Sequence, residues 1–515
     1  MLLWYWYLIA VSALSFAGYI TPELFPTLAL AAAAHLLSRF PVSKSPRHDV
    51  LKTAAVAAAA LALLWRLSYL PPPGTVLAMA EKTAMRPSPR FVLEFLEQSL
   101  DPLMLAGGAV LFAAALYLGR KRPRALAAAA YLIFFSAWLA LPGQKTAPEG
   151  TRLAEAFYEG ERGKAVKFSR PESGSPAFDL VILHICSLSW QDMRDAGFDS
   201  SPFFSKFDYV LTGFNSASTY SGDSAIRLLK SPCGQLPPSR LYSDSPDGCY
   251  LMEELRRSGF RTYTMLSHNG AYGGFSGTLQ KYGRADAPIG VDDLPPVYRM
   301  FDGTVLHADS AALLKFWELR ERSGEPRAAL YYNTANLHIG THRPGAPRRP
   351  EDADSYRQRL AEMTEDMEEF FAAIERSGRK AVVIFAGEHG AALSGTRMQP
   401  KGVREIPLPR IALVPAAVKV IGGRRGGAGA KPLTISKPAG GMALAWLIAE
   451  LLRRSPYDRN ARSAETVAAE LPGTGFMADN GAAAVMENGG GYLFRLNWKG
   501  GGKWFRMPER SGMRP

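Results

Sequence analysis

The sequence predicts a multi-span helical membrane domain followed by an α/β domain whose mainly parallel sheet is flanked by helices. Three observations carry this reading. Residues 1–142 are dominated by Ala, Leu, Phe and Trp, although the chain-wide hydrophobic content of 47% is ordinary. Basic loops punctuate that apolar half. In the polar remainder, short branched apolar runs alternate with amphipathic helical segments, the pattern of strands joined by helical crossovers.

Crossing a hydrocarbon core takes about 20 mostly apolar residues. Five stretches approach that length: 2–19, 24–38, 53–71, 102–119 and 125–141. Glu23 flanks the second and Arg66 lies within the third. A secretory signal peptide is the alternative for 1–19, but no basic segment precedes the run and more apolar stretches follow. Arg39, Lys44, Arg47 and Lys52 separate spans two and three, and Arg120, Lys121, Arg122 and Arg124 separate spans four and five. The positive-inside rule puts both loops in the cytoplasm. The N-terminus is then cytoplasmic, and an odd number of spans sends residue 143 onward to the far side. The loop 72–101 is expected outside, with FVLEFLEQSL (91–100) as an amphipathic surface helix.

The expected organisation is a transmembrane domain over 1–143, a polar linker over 144–177, a catalytic domain over 178–457 and a C-terminal extension over 458–515. DLVILHIC (179–186) reads as a central parallel strand. RTYTML (261–266), RAALYYNT (327–334), KAVVIFAGEHG (380–390) and PRIALVP (409–415) continue the strand series. Helical segments precede several of them, the longest being DSYRQRLAEMTEDMEEFFAAIERSG, and a further helix falls at 441–454. The tail GYLFRLNWKGGGKWFRMP reads as a β-hairpin with a Gly-rich turn.

The net charge of +13 fits membrane topology better than nucleic-acid binding, for which no zinc-finger or aromatic-basic pattern is present. Cys233 and Cys249 lie in a polar, turn-rich stretch and could close a short loop as a disulfide in an oxidising compartment. That would leave Cys186 as a free thiol.

Sites in such sheets form outside the carboxyl ends of strands. Cys186, His268 and Asn269, Asn333 and His338, and Glu388 and His389 all follow a predicted strand directly. Cys186 is equally readable as a small buried hydrophobe, and Glu388-His389 as an ordinary polar loop. Together, however, Cys, His and Glu suit Zn²⁺, which accepts S, N and O ligands. Ser221 precedes the helical SAIRLLKS. It reads either as an N-cap or as a nucleophile whose hydroxyl a metal would acidify, with helix N–H groups cradling a phosphate. His338 and His342 lie in YYNTANLHIGTHRPG as surface histidines or as groups facing a phosphoryl oxygen. Lys401 and Arg404 are solvated loop charges or phosphate-neutralising ones.

These motifs resemble the alkaline phosphatase superfamily and, within it, the membrane phosphoethanolamine transferases. The most specific likeness is to the bacterial cellulose phosphoethanolamine transferases, the G subunits of the Bcs cellulose-secretion system. ICSLSW (185–190), FNSASTYSG (214–222), AIRLLKSPCGQ (225–235), DGCYL (247–251), HNGAYGGF (268–275), FDG (301–303), YYNTANLHIGTHRPG, SGRKAVVIFAGEHGAAL (377–393) and REIPLP (404–409) recur in order across nearly the whole soluble half. The lipid A enzymes usually carry Glu, Thr and Asp-His where this chain has Cys186, Ser221 and Glu388-His389. The resemblance implies Zn²⁺ held by Cys186, Ser221, Glu388 and His389, with Ser221 as nucleophile. It also implies Tyr220 and His338 beside the active centre, a Cys233–Cys249 disulfide, and Arg404, His342 and Asn269 as substrate-binding candidates. It further implies a multi-pass protein of the bacterial inner membrane with a periplasmic catalytic domain, in contact with membrane lipid. The donor would be phosphatidylethanolamine, the acceptor the glucosyl 6-hydroxyl of cellulose, and the partners the other subunits of the cellulose synthase and secretion complex, in support of a biofilm matrix. The rival readings are a transferase to lipid A or another surface glycan, and an inactive scaffold of the secretion complex. A transporter is disfavoured, since the spans lack buried charge pairs.

Overall fold

The computed structural model describes residues 2–21, 23–39, 46–74, 102–140, 146–172, 174–198, 202–346, 352–423, 431–459 and 461–507. Helices occupy all five apolar stretches: α1 (Leu2–Phe16), α2 (Leu24–Arg39), α3 (Pro46–Leu67), α4 (Pro102–Lys121) and α5 (Pro123–Ala140). Leu8, Val11, Ala31, Leu67, Ala130 and Phe134 form a core shared by α1, α2, α3 and α5. Among the described residues, Val50–Leu67 is long and apolar enough to cross a membrane, with a mean hydropathy of 1.7. Tyr5–Phe16, Leu24–Ala34 and Pro123–Leu139 are apolar but shorter. By helix length and composition, one of the five expected spans qualifies among the described residues. Arg66 pairs with Glu23 at 3.1 Å, so the two charges that interrupted the apolar pattern meet at one end of the helices. The expected surface helix at 91–100 lies outside the described residues.

The stretch expected as a linker carries helix α6 (Glu149–Arg162). It packs Ala154 against Met477 and Trp504 of the C-terminal sheet.

The soluble half is built on an eight-stranded sheet. Its strands are β1 (Asp179–Ile185), β2 (Tyr209–Leu211), β3 (Arg261–Leu266), β4 (Pro288–Ile289), β7 (Ala328–Thr334), β8 (Ala381–Gly387), β9 (Ala416–Ile421) and β10 (Leu433–Ile435); β5 (Pro296–Arg299) and β6 (Val305–His307) form a separate pair. The sheet order is β10-β2-β9-β8-β1-β7-β3-β4. It is mixed, because β9 runs antiparallel to both β8 and β2. Alternate β1 residues feed two cores. Leu180 and Ile182 face one side, and Val181, Leu183 and Ile185 face the other. Both faces are covered, so the strand carries apolar residues on both sides rather than alternating with polar ones.

PRIALVP, expected as a strand, is a short helix at Pro409–Ala412, and the strand begins only at Ala416. Pro409 presets the first helical φ, and Ile411 and Ala412 bury against the C-terminal sheet instead of pairing. That sheet is antiparallel: β11 (Met477–Asp479), β12 (Ala483–Asn488), β13 (Gly491–Leu496) and β14 (Trp504–Arg506). The tail hairpin is its β13–β14 edge.

Candidate active site

Register decides what meets at the sheet's end. Ile185 pairs with Thr334 on one side and Gly387 on the other, so β1, β7 and β8 end together. Cys186 and Glu388, each one residue further on, therefore become neighbours. Gly387 and Gly390 bracket Glu388-His389 because the adjoining loops approach too closely for a side chain. A Cβ on Gly387 would lie 2.6 Å from the Leu188 carbonyl oxygen, and one on Gly390 2.6 Å from Asp192 Oδ2. Asp192 accepts from the backbone N–H of Ala391 at 2.7 Å and of Leu393 at 2.8 Å, which holds the following loop in place. Ser187 and Ala392, just past the ligand residues, sit at φ of 59° and 55°, left-handed conformations that cost energy for residues with a Cβ.

Helix α7 (Ser221–Leu229) delivers the hydroxyl. Tyr220 is its N-cap residue and makes no side-chain capping bond, so Ser221 is not spent on capping. Ser221 Oγ stands 3.3 Å from Cys186 Sγ and 3.3 Å from His389 Nε2. Cys186 Sγ is 3.8 Å from His389 Nε2, which is 3.8 Å from Glu388 Oε2. The ligand atoms of Cys186, Glu388 and His389 all lie within 4.8 Å of one another, and all three residues are buried.

This cluster has the character of a cation site. Burial, reinforced by Glu388, pushes the Cys186 thiol up to about 12; burial pushes the Glu388 carboxyl up to about 7. Both are anionic ligand types that burial alone would neutralise, and a divalent ion would reverse both shifts. Glu388 Oε2 is buried without a hydrogen-bond partner. A buried oxygen is costly in that state unless something else, such as a metal, occupies it. Glu388 Oε1 is oriented by Asn333 Nδ2, which donates to it at 2.5 Å. His389 Nδ1 lies 3.0 Å from the Gly390 carbonyl oxygen, the bond that leaves Nε2 facing the cluster.

Two family descriptions match the chain: the Cellulose biosynthesis protein BcsG C-terminal domain over residues 141–504, and its N-terminal domain over residues 4–141. The chain belongs to the BcsG family. It is 31% identical to the cellulose biosynthesis protein BcsG of Escherichia coli K12 and 30% identical to that of Salmonella typhimurium LT2, covering 98% of this chain and 96% of each relative. Among solved structures, an alkaline phosphatase superfamily protein from Vibrio parahaemolyticus is similar at a TM-score of 0.49 with 14% identity, over 71% of this chain and 90% of that one.

In this BcsG-family chain the sequence-predicted residues divide into those at the cluster and those beside it. Cys186, Ser221, Glu388 and His389 converge. Arg404 stands at the cluster, with one guanidinium nitrogen 3.0 Å from His389 Nδ1 and 3.4 Å from Ser187 Oγ. Tyr220 directs its hydroxyl to Glu405, next to Arg404. His338 rests its ring against Phe301, centroids 5.4 Å apart, and its Nδ1 lies 2.8 Å from the Ile339 carbonyl oxygen. Burial, then the charge of Arg404, pulls this imidazole down to about 3. His342 pairs with Arg299 through its backbone, and its Nδ1 lies 3.4 Å from the Gly340 carbonyl oxygen. Asn269 is exposed, and its Oδ1 accepts from the Ala271 N–H to close a turn. Cys233 and Cys249 are disulfide-bonded, and Cys186 is a buried free cysteine.

Asn333 was legible only as a strand-end polar residue; its hold on Glu388 was not. The signal available was its place at the end of β7, beside the end of β1. If the cluster holds Zn²⁺, Asn333→Leu should weaken its binding about 10–100-fold, the usual effect of losing a group that orients a ligand, while leaving Ser221 in place. Competition for zinc against a chelating dye measures it, and unchanged affinity would remove Asn333 from the site.

Proposed function

We propose that this chain is a Zn²⁺-dependent phosphoethanolamine transferase of the alkaline phosphatase type. Its donor is phosphatidylethanolamine, and its acceptor is the glucosyl 6-hydroxyl of cellulose emerging from the secretion complex. The observation that carries the reading is the convergence of Ser221 Oγ on Cys186 Sγ and His389 Nε2, each at 3.3 Å, beside the unpartnered Glu388 Oε2.

Cys186, Glu388, His389 and Ser221 would hold the ion. When bound it supplies positive charge that lowers the hydroxyl's pKa and offsets charge on the phosphoryl oxygens. With His389 Nε2 committed as a ligand, its Nδ1 keeps the proton and bonds the Gly390 carbonyl. Arg404 then has no acceptor on that ring and is free to pair with a phosphate. Ser221 Oγ attacks phosphorus and the bond to the glycerol oxygen breaks, which releases diacylglycerol and leaves phosphoethanolamine esterified to the serine. The acceptor hydroxyl then attacks the same phosphorus and the serine is regenerated. His338 is the candidate group for protonating the leaving alkoxide, with its Nδ1 held on the Ile339 carbonyl and Nε2 left for that role. Tyr220 positions the Arg404-Glu405 segment.

The domain reading follows: membrane helices over 1–143, a connecting segment over 144–177, a periplasmic catalytic domain over 178–457 and an extension over 458–515. Support for lipid contact comes from side-chain exposure. Large apolar residues such as Leu61, Val110, Leu132 and Leu139 are more than 65% exposed on these helices, while such exposure is nearly absent from the described soluble half. Charge placement in the sequence agrees, since basic residues cluster at the α2–α3 and α4–α5 connections.

The test is reconstitution. Full-length chain in vesicles of phosphatidylethanolamine, given zinc and a soluble cello-oligosaccharide, is expected to yield a phosphoethanolamine adduct visible by mass spectrometry. Solid-state NMR of cellulose from matched strains gives the cellular counterpart. No adduct from zinc-loaded chain would overturn the assignment.

A further inference from the structure

We infer that Lys499 is a positioning residue that clasps the catalytic half onto the membrane helices and thereby sets how the Ser221 centre faces a lipid surface. The inference rests on the membrane anchoring and lipid donor proposed above.

Lys499 lies in the Gly-rich turn between β13 and β14, remote in sequence from every helix it touches. Its ammonium donates to the Leu67 carbonyl at 2.9 Å, the Ser68 carbonyl at 3.0 Å and Thr21 Oγ1 at 3.3 Å. An ammonium has three donors, and three acceptors take them. Two of those acceptors are carbonyls at the C-terminus of α3, which lack intrahelical partners and carry the negative end of the helix dipole. The ammonium also stands 4.7 Å from the centroid of the Tyr69 ring, which in turn packs edge-on to Phe494 of β13 at 6.3 Å. Thr21 N–H donates to the Leu67 carbonyl, and Ile20 bridges Ser68, so the clasp closes on a joint already tying the end of α1 to the end of α3. Both chain segments are those that loop charge puts on the extracytoplasmic side.

The other edge of the same sheet holds the approach to the nucleophile. Asn215 Nδ2 donates to the Met477 carbonyl at 3.1 Å, and the Asp479 N–H donates to the Ala217 carbonyl at 3.4 Å. Asn480 Nδ2 donates to Thr219 Oγ1 at 3.3 Å and to the Glu405 carbonyl at 2.8 Å. Arg227, on α7 itself, donates to the Asp479 carbonyl at 2.9 Å. Residues 215–219 lead directly into Ser221, and Glu405 follows Arg404. One four-stranded sheet thus grips the helix ends through Lys499 and the nucleophile loop through residues 477–480. A donor that sits in a bilayer must meet Ser221 at a fixed height and tilt, whereas a soluble donor need not.

Lys499→Met keeps an unbranched stem and removes the donors. Against the full-length chain in phosphatidylethanolamine vesicles, it is expected to lower kcat/KM about tenfold. Turnover of a water-soluble nitrophenyl ester of phosphoethanolamine, and zinc content, should stay at wild-type values, and Lys499→Arg should restore most of the vesicle activity. Hydrogen exchange at the Thr21 and Ser68 amides should quicken in Lys499→Met. Equal loss on both donors, or no loss on either, would overturn the positioning role. If the wild-type chain moves nothing from vesicles, the proposed function fails by itself. The exchange measurement still decides the clasp: faster exchange supports it and unchanged exchange removes it.

Discussion

Ser221→Ala is expected to lower phosphoethanolamine transfer by about a thousandfold or more while leaving the fold and the zinc content intact. The size of the effect follows from the chemistry. In the proposed mechanism the serine oxygen is the atom that becomes covalently bound to phosphorus, and no neighbour can substitute for it. In the proposed centre Glu388 and His389 would serve as ligands, and the Cys186 thiol is enclosed. The mildness of the structural effect follows from geometry. Ser221 is only partly buried, and the N-cap position of α7 belongs to Tyr220, whose side chain makes no capping bond. Removing one hydroxyl there should change stability by less than about 0.5 kcal/mol. Three ligands remain, so elemental analysis should still find zinc. Mass spectrometry of wild-type chain quenched during turnover should find phosphoethanolamine on the peptide carrying Ser221. Activity within tenfold of wild type in the Ala variant would reject the nucleophile assignment.

The parts of the fold legible in the sequence were those dictated by local pattern. DLVILHIC and AVVIFAG carry apolar residues on both faces because both sides of the sheet are covered, and they form the strands Asp179–Ile185 and Ala381–Gly387. The helix Ala353–Arg376 was legible from its amphipathic period. What was not legible depended on partners distant in sequence. Tyr209–Leu211 is a strand only because β9 and β10, more than 200 residues further along the chain, supply neighbours on both sides. PRIALVP has strand composition, yet the C-terminal sheet captures its apolar residues and leaves pairing to AAVKVI.

The site divides in the same way. Residues one or two positions past a strand could be collected into a candidate cluster without knowing the sheet order, and Cys186, Glu388 and His389 came from that rule. Ser221 required α7 to point at the same place, which no spacing encodes. Asn333 and Lys499 lay further from reach. Asn333 acts through Glu388, and Lys499 sits in a turn whose glycines promise a hairpin and nothing about the helices it contacts.

Cys186→Ala separates the two readings that the residue invites. If the thiol merely fills space, the substitution removes one buried sulfur at a site only 2% exposed. It should then cost no more than about 1–2 kcal/mol, with zinc retained. If the thiolate is a ligand, the centre is left with one carboxylate, one imidazole and one hydroxyl, and affinity should fall by more than the roughly 100-fold attached to an orienting group. Stoichiometric zinc would then be lost on gel filtration. A thermal measurement gives an independent readout. A ligand that binds only the folded chain raises stability by RT ln(1 + [L]/Kd), so zinc at about 100 times its Kd adds about 2.7 kcal/mol. Wild-type chain should melt higher when zinc is added back after chelation, and Cys186→Ala should not respond at the same concentration. Glu388→Gln should share the loss of response, because it converts the unpartnered carboxylate oxygen into a neutral amide group. Retention of stoichiometric zinc by Cys186→Ala, with an undiminished thermal response, would sink the thiolate ligand and return Cys186 to the core.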